Sequence, residues 1–194
     1  MNKKIVLNVG CGKSPLKEQS DFLTTEDWRE VRVDAWKENE TADVISSITE
    51  LNGIDDKSAD CIWASHVVEH VYWHELPDVF NSFMRVLKDD GFAIVRVPDL
   101  KFVAQKIISD GLLDSIYQIP MGPVCAIDML YGHRGLTQEW GPGMAHRTGF
   151  TEQSMGQILG SLDIKAFIKV GHFEIIALLY KDKPPTEFMD FGRF

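Results

Sequence analysis

The sequence predicts a doubly wound α/β fold: a mostly parallel, seven-stranded sheet with helices on both faces and an antiparallel hairpin at the C-terminal end. Three observations carry this. Short β-branched apolar runs recur between residues 5 and 97, several closed by Gly, Asp or Pro, in the manner of buried parallel strands. Runs with helical apolar spacing alternate with the later ones, which calls for right-handed crossovers. The last two strand-like runs are separated only by Gly171-His172-Phe173, too few residues for a parallel crossover.

The elements follow in order. Residues 5–10, IVLNVG, read as a buried first strand ending on glycine, and Val31-Arg32-Val33-Asp34 as a second ending on an acid. Ala42 to Ile48 gives a weaker third strand and Ala59 to Ala64 a better defined fourth. From about Glu75 to Lys88 an amphipathic helix places Phe80, Phe83, Met84 and Leu87 on one face; Asp89-Asp90-Gly91 reads as its stop, with Gly91 in the left-handed position. Residues 92–97, FAIVRV, form the fifth strand, and Pro98-Asp99 ends it and caps a helix carrying Phe102, Val103, Ile107 and Ile108. Thr151 caps a further helix through Met155, Ile158, Leu159 and Leu162, and Ile164 to Val170 and Glu174 to Tyr180 are the closing strands.

With 194 residues the chain is expected to form one domain over residues 1–183, with an inserted region at 111–149 and a tail at 184–194. The insertion holds seven glycines interleaved with aromatic and basic residues, as lids and binding loops do. A net charge of −9 without a dense Lys/Arg run argues against gripping a phosphate backbone, so no nucleic-acid partner is expected. Cys11, Cys61 and Cys125 are odd in number and widely spaced, which suits a reducing compartment. The start runs straight into a strand without an apolar signal core, and no run reaches a membrane span; a cytoplasmic location is expected. The tail, with Phe188, Met189, Phe191 and Phe194, is apolar enough to dock on the domain or on a second copy, giving a homodimer.

The first candidate site is LNVGCGKSP, where Gly10 and Gly12 follow a buried strand and let a ligand lie against bare backbone. A P-loop requires glycine where Leu7 stands, and a dinucleotide fingerprint requires one where Pro15 stands. S-adenosylmethionine carries no pyrophosphate, so G-x-G suffices for it; a plain tight turn is the alternative. Asp34, about twenty residues further on at a strand end, suits ribose hydroxyls, or is simply an exposed carboxylate.

Taken together, LNVGCGKSP, VRVDAW, CIWASHVVEHV and FMRVLKDDGFAIVRVPDL resemble, in order over residues 5–100, the motifs of class I S-adenosylmethionine-dependent methyltransferases, especially the small type-11-like proteins. The run SHVVEHV followed by RVL-K-x-x-G is the most specific part. The resemblance implies a Rossmann-like methyltransferase fold with S-adenosylmethionine as cofactor. It places Val9, Gly10, Cys11 and Gly12 against the methionine portion, Asp34 on the ribose, Ser47 and Ile48 around the adenine, and Ser65 and His66 along the pocket. Two features depart from it: Ser47 stands where an acid is common, and the stretch between the first two strands leaves little room for a full helix.

His66-Val-Val-Glu69-His70 also matches H-x-x-E-H, the inverted zinc-protease motif, although it follows a strand directly instead of lying inside a helix. It resembles as well the E-x-x-E-H cluster that binds a divalent metal in ubiquinone-pathway O-methyltransferases and small-RNA 2'-O-methyltransferases, with His66 replacing the first glutamate. No metal is expected; the alternative is an ion on His66, Glu69 and His70. Within the insertion, Asp128, Tyr131, His133, Arg134, Glu139, Trp140, His146 and Arg147 are candidates for acceptor binding. Methyl transfer to a hydroxyl must remove a proton, and His146, placed just before a helix start, is the first candidate base, with His66 and Tyr131 as further catalytic candidates. The expected acceptor is a small molecule, a sugar or a lipid-linked group. A cofactor-binding regulator without transfer activity and a metal-dependent hydrolase are the alternatives.

Overall fold

The computed structural model describes residues 3–20, 23 and 26–185. Its main sheet contains β1 (Lys4–Val9), β2 (Trp28–Asp34), β3 (Val44–Ile45), β4 (Ala59–Ser65), β5 (Leu87–Pro98), β8 (Lys165–Val170) and β9 (Glu174–Tyr180), in the order β3-β2-β1-β4-β5-β9-β8. The first five run parallel, and β9 pairs antiparallel with both β5 and β8. The order reverses between β1 and β4, so a crevice opens beyond their carboxyl ends, where α/β sheets bind ligands.

The two-residue period of the strands divides the core into two layers. Leu7, Val9, Ile62, Ala64, Ala93 and Val95 face Val79, Phe80, Phe83 and Val86 of α1 (Leu76–Val86) and Met155 and Leu159 of α5 (Glu152–Ser161). Val6, Cys61, Trp63, Phe92 and Ile94 face the other way, onto Leu16 and Leu23. In keeping with the short stretch between the first two strands, its described residues form a 3-10 turn, Leu16–Glu18, on that side. The Thr151 cap forms, its hydroxyl accepting from Ser154 N–H at 3.2 Å.

The third strand is shorter than in the sequence reading, and the end of α1 differs more consequentially. Helix α1 ends at Val86, and Leu87 is already extended, so Asp89-Asp90-Gly91 lies inside β5 and is not a helix stop. Gly91 is not left-handed; a Cβ there would come within 3.0 Å of the Ala59 carbonyl oxygen, so close approach to β4 explains the glycine.

The insertion is folded, not loop-like. After α2 (Leu100–Ser109) come the hairpin β6 (Ser115–Ile119) and β7 (Gly122–Cys125), then α3 (Ala126–Tyr131), α4 (Arg134–Trp140) and a 3-10 turn, Pro142–Met144. Val103, Val124, Ala126 and Met129 give it a small core of its own, against which Phe102, Tyr117 and Phe173 pack. Its far end returns to the sheet, where Leu100 N–H donates to the Phe150 carbonyl at 2.8 Å. Among the described residues no helix is long and apolar enough to cross a membrane. The proposed docking segment of the tail, from residue 186 on, lies outside the described residues.

Candidate active site

At the end of β1, Gly10 has φ +64°, and a Cβ on it would overlap Val67 at 2.2 Å, so the turn both needs left-handed backbone and presses against the segment after β4. Gly12 N–H donates to Asp34 Oδ2 at 2.8 Å, and Trp36 N–H to Asp34 Oδ1 at 2.8 Å. Oδ2 also lies 3.9 Å from the Cys11 thiol, so Oδ1 keeps the spare lone pair and Asp34 is oriented without being used up. The Gly12 carbonyl accepts from Asn39 Nδ2 at 2.7 Å and Arg32 Nη2 at 3.0 Å, which fixes the turn from outside. Cys11 is buried, and burial together with Asp34 pushes its thiol up to about 11, so it remains protonated and serves as packing. Trp140 of α4 stacks on Trp36 with centroids 6.0 Å apart, and its ring lies 3.9 Å from the place of a Gly12 Cβ.

Beyond β3, Ser46 N–H donates to the Asp34 carbonyl at 2.8 Å, which brings Ser47 and Ile48 beside the ribose candidate. Ser47 Oγ is 2.8 Å from Thr49 Oγ1; Ile48 is buried in the core with its carbonyl taken by Ser82.

At the end of β4 the chain turns sharply. Ser65 closes the strand, and His66 adopts φ +53°, uncommon for a side chain of this size and held by its amide, which donates to the Arg96 carbonyl at 2.9 Å. His66 Nδ1 lies 3.3 Å from Glu69 Oε1 and Nε2 3.5 Å from Glu174 Oε2. Burial alone lowers the pKa of this imidazole, but Glu174 and Glu69 outweigh it and raise the value to about 9. His66 is therefore an imidazolium at neutral pH and cannot act there as the base the sequence suggested. Glu174 is in turn clamped by Arg96, through Nη2 at 2.7 Å and Nε at 3.1 Å, and against the cost of burial His66 and Arg96 hold it at about 2.

A 3-10 turn, Val68–His70, follows, not the helix of a zinc-protease motif. It carries Glu69, which is 1% exposed. Burial favours its neutral form, yet His66 foremost, with His70 and His146, holds it below the ordinary carboxylate range. Arg147 and Thr148 N–H groups donate to the Glu69 carbonyl at 2.8 and 3.1 Å, which brings the end of the insertion against this turn and sets His146 4.9 Å, ring to ring, from His70. Burial pushes the His146 pKa below its ordinary value, so it is neutral at pH 7.

These groups face a cavity of about 160 Å³ between the end of the sheet and the insertion. His66, Glu69, His70, His133 and His146 line its polar side, and Tyr117, Ile119, Val124, Met129, Leu136 and Met144 much of its apolar side. Of the insertion residues singled out from sequence, Asp128, His133 and His146 reach the cavity. Asp128 is occupied by Arg134, whose Nε lies 2.7 Å away, and by the Cys125 N–H at 2.9 Å. Tyr131 is 65% exposed and is not among the residues that line the cavity. Tyr117 and Glu174 were missed; both lie in segments without a motif, and only the pairing of β5 with β9 brings Glu174 to His66.

Residues 7–95 match the family model described as a methyltransferase domain. That match covers just under half of the chain, which is thus similar over this part to methyltransferase domains. No curated protein sequence matches it. Among solved structures it is similar to a protein of Pyrococcus horikoshii (16% identity, 93% of this chain and 83% of that one, TM-score 0.61). A SAM-dependent methyltransferase from Archaeoglobus fulgidus follows (14%, 91% and 86%, 0.57). So does the Burkholderia thailandensis 1,6-didemethyltoxoflavin-N1-methyltransferase with bound 1,6-didemethyltoxoflavin and S-adenosylhomocysteine (14%, 94% and 72%, 0.57). At these identities the likeness extends to the fold, and in this chain the switch between β1 and β4 is where the glycine turn, Asp34 and the His66 segment meet.

Proposed function

We propose that this protein transfers the methyl group of S-adenosylmethionine to a hydroxyl of a small, partly apolar acceptor held in the cavity beneath the insertion. One observation carries the reading. Val67 fills the space that a side chain on Gly10 would occupy, and its neighbours His66 and Glu69 line the cavity, so the glycine turn and the cavity share a wall. Transfer from one side to the other demands this adjacency.

The residues at the turn fit the cofactor: left-handed glycine backbone at a strand end and a pre-oriented Asp34 whose Oδ1 has a spare lone pair for a ribose hydroxyl. When bound, S-adenosylmethionine supplies an electrophilic methyl on a sulfonium. The chain's own residues do the rest. The apolar wall orients the acceptor and excludes water, His66 and Glu174 fix the turn after β4, and the Glu69-His70-His146 group activates the acceptor hydroxyl.

Calorimetry with S-adenosylhomocysteine and a methyl-transfer assay over small phenols and alcohols test this. His146→Ala is expected to lower kcat about 100-fold while changing the S-adenosylhomocysteine Kd less than about 3-fold. Absence of S-adenosylhomocysteine binding, or an unchanged kcat in the variant, overturns it.

A further inference from the structure

The acceptor side of the cavity contains a carboxylate that the fold leaves unsatisfied. Glu69 is 1% exposed; Oε1 is paired with His66 Nδ1 at 3.3 Å, and Oε2 has no hydrogen-bond partner. His66 is shared with Glu174, so one cation faces two buried carboxylates, and the bare Oε2 is left costly unless a further cation compensates it. Two imidazoles stand beside it, and Glu69, His70 and His146 each present a ligand atom within 4.8 Å of the others.

The orientation of the imidazoles narrows what compensates it. His70 Nδ1 sits 3.2 Å from the Ala145 carbonyl and His146 Nδ1 2.9 Å from the Met129 carbonyl. A carbonyl oxygen can only accept, so in both rings the proton is on Nδ1 and the lone pair on Nε2. Backbone carbonyls that fix the outer nitrogen and free the inner one are the usual support of histidines that bind metal. With Nδ1 engaged in each ring, Nε2 is the nitrogen free to serve as a ligand in the group formed with Glu69. We propose that Glu69, His70 and His146 bind a divalent transition-metal ion of the Zn2+ class, leaving a coordination position open to the cavity for the acceptor's oxygen.

Two nitrogens and one carboxylate suit Zn2+ or a neighbouring first-row ion, whereas Mg2+ and Ca2+ prefer all-oxygen sets. The set differs from the sequence-based alternative: His66 is turned between Glu69 and Glu174, and His146 takes the third place. The ion itself does not depend on the methyl-transfer reading; only the acceptor oxygen at its open position does. There it gives the Glu69-His70-His146 group its means of activation, since a metal-bound hydroxyl loses its proton to solvent more readily.

The test uses the whole protein, stripped with chelator and titrated with Zn2+ by calorimetry, and with Co2+ by visible absorption. Wild type is expected to bind one equivalent and to give the d–d absorption of nitrogen-ligated Co2+. His70→Ala and His146→Ala, with folding checked by circular dichroism, are each expected to weaken binding at least about 100-fold, whereas the exposed His74→Ala leaves it unchanged. No stoichiometric binding by folded wild type, or binding that survives both substitutions, overturns the proposal. Methyl transfer undiminished in chelator overturns the ion's part in the reaction and leaves the methyltransferase reading intact. Tight Zn2+ binding without S-adenosylhomocysteine binding does the reverse.

Discussion

Replacing Glu174 by Gln tests whether the charged knot at the end of β4 and β5 holds the site together. The substitution keeps the shape but removes the anion that faces His66 Nε2 at 3.5 Å and Arg96 Nη2 at 2.7 Å. His66 rises from 6.5 to about 9 on folding, which at about 1.4 kcal/mol per tenfold change corresponds to at most about 3 kcal/mol. The imidazole is 40% exposed, and solvent screening reduces this to about 1 kcal/mol. Arg96, only 20% exposed, loses a bidentate partner, which adds about 1–2 kcal/mol. A loss of about 2–3 kcal/mol is thus expected near pH 6.

The signs of the two shifts set the pH profile of that loss. His66, raised on folding, contributes in full below pH 6.5 and ceases to as pH rises through about 9. Glu174, depressed on folding from 4.5 to about 2, contributes in full above pH 4.5 and loses this as pH falls toward 2. Both act in full only between those limits, so the gap between wild type and Glu174→Gln, read from urea denaturation, should be largest near pH 5.5 and shrink to about 1–2 kcal/mol by pH 9.5, where only the Arg96 contact remains. NMR titration should show the His66 midpoint falling by about 1–2 pH units in the variant. A gap that does not change with pH, or a wild-type His66 that titrates near 6.5, would refute the reasoning.

Two other substitutions probe the cofactor side. Gly10→Ala forces a Cβ to 2.2 Å from Val67 at φ +64°, and is expected to cost at least about 2 kcal/mol in thermal unfolding and to weaken S-adenosylhomocysteine binding in calorimetry; an unchanged Tm and Kd would remove the turn from the site. Asp34→Ala is expected to raise the S-adenosylhomocysteine Kd about 10- to 100-fold, and a shift under 3-fold would show that the ribose lies elsewhere.

Much of the sheet was readable because its strands are buried on both faces and therefore appear as continuous apolar runs, as in IVLNVG and FAIVRV. The hairpin at Ser115 to Cys125 was not: β6 is half-exposed, and its packing comes from Phe102 and Phe173, distant in sequence. At the site, Glu69 and His70 could be read from spacing, but the third member could not, since His146 arrives only because Arg147 and Thr148 bond to the Glu69 carbonyl. The charge of His66 depends on Glu174 from β9, a strand that carries no motif. Tyr131 lies off the cavity lining for a simple reason: Met129 of α3 faces inward, and two residues along a helix is about 200°, the opposite face.

The insertion reaches both the glycine turn and the cavity, and the sequence points to a cofactor more clearly than to an acceptor. Between Trp140, stacked over the glycine turn, and His146, placed on Glu69, lies only the short segment with the 3-10 turn Pro142–Met144. Lys13 Nζ, 5.5 Å from the Trp36 ring and 5.3 Å from the Trp140 ring, ties one end of that segment to the turn. Cofactor contacts come from strand ends, which the shared fold fixes in any sequence that builds the sheet. The cavity lining comes from β6, β7, α3 and the residues after α4, where nothing in the fold dictates side-chain identity. Structures that share 14–16% of residues therefore share the fold without constraining the cavity, and the chemistry of an acceptor must be read from the histidines and the apolar wall of this chain.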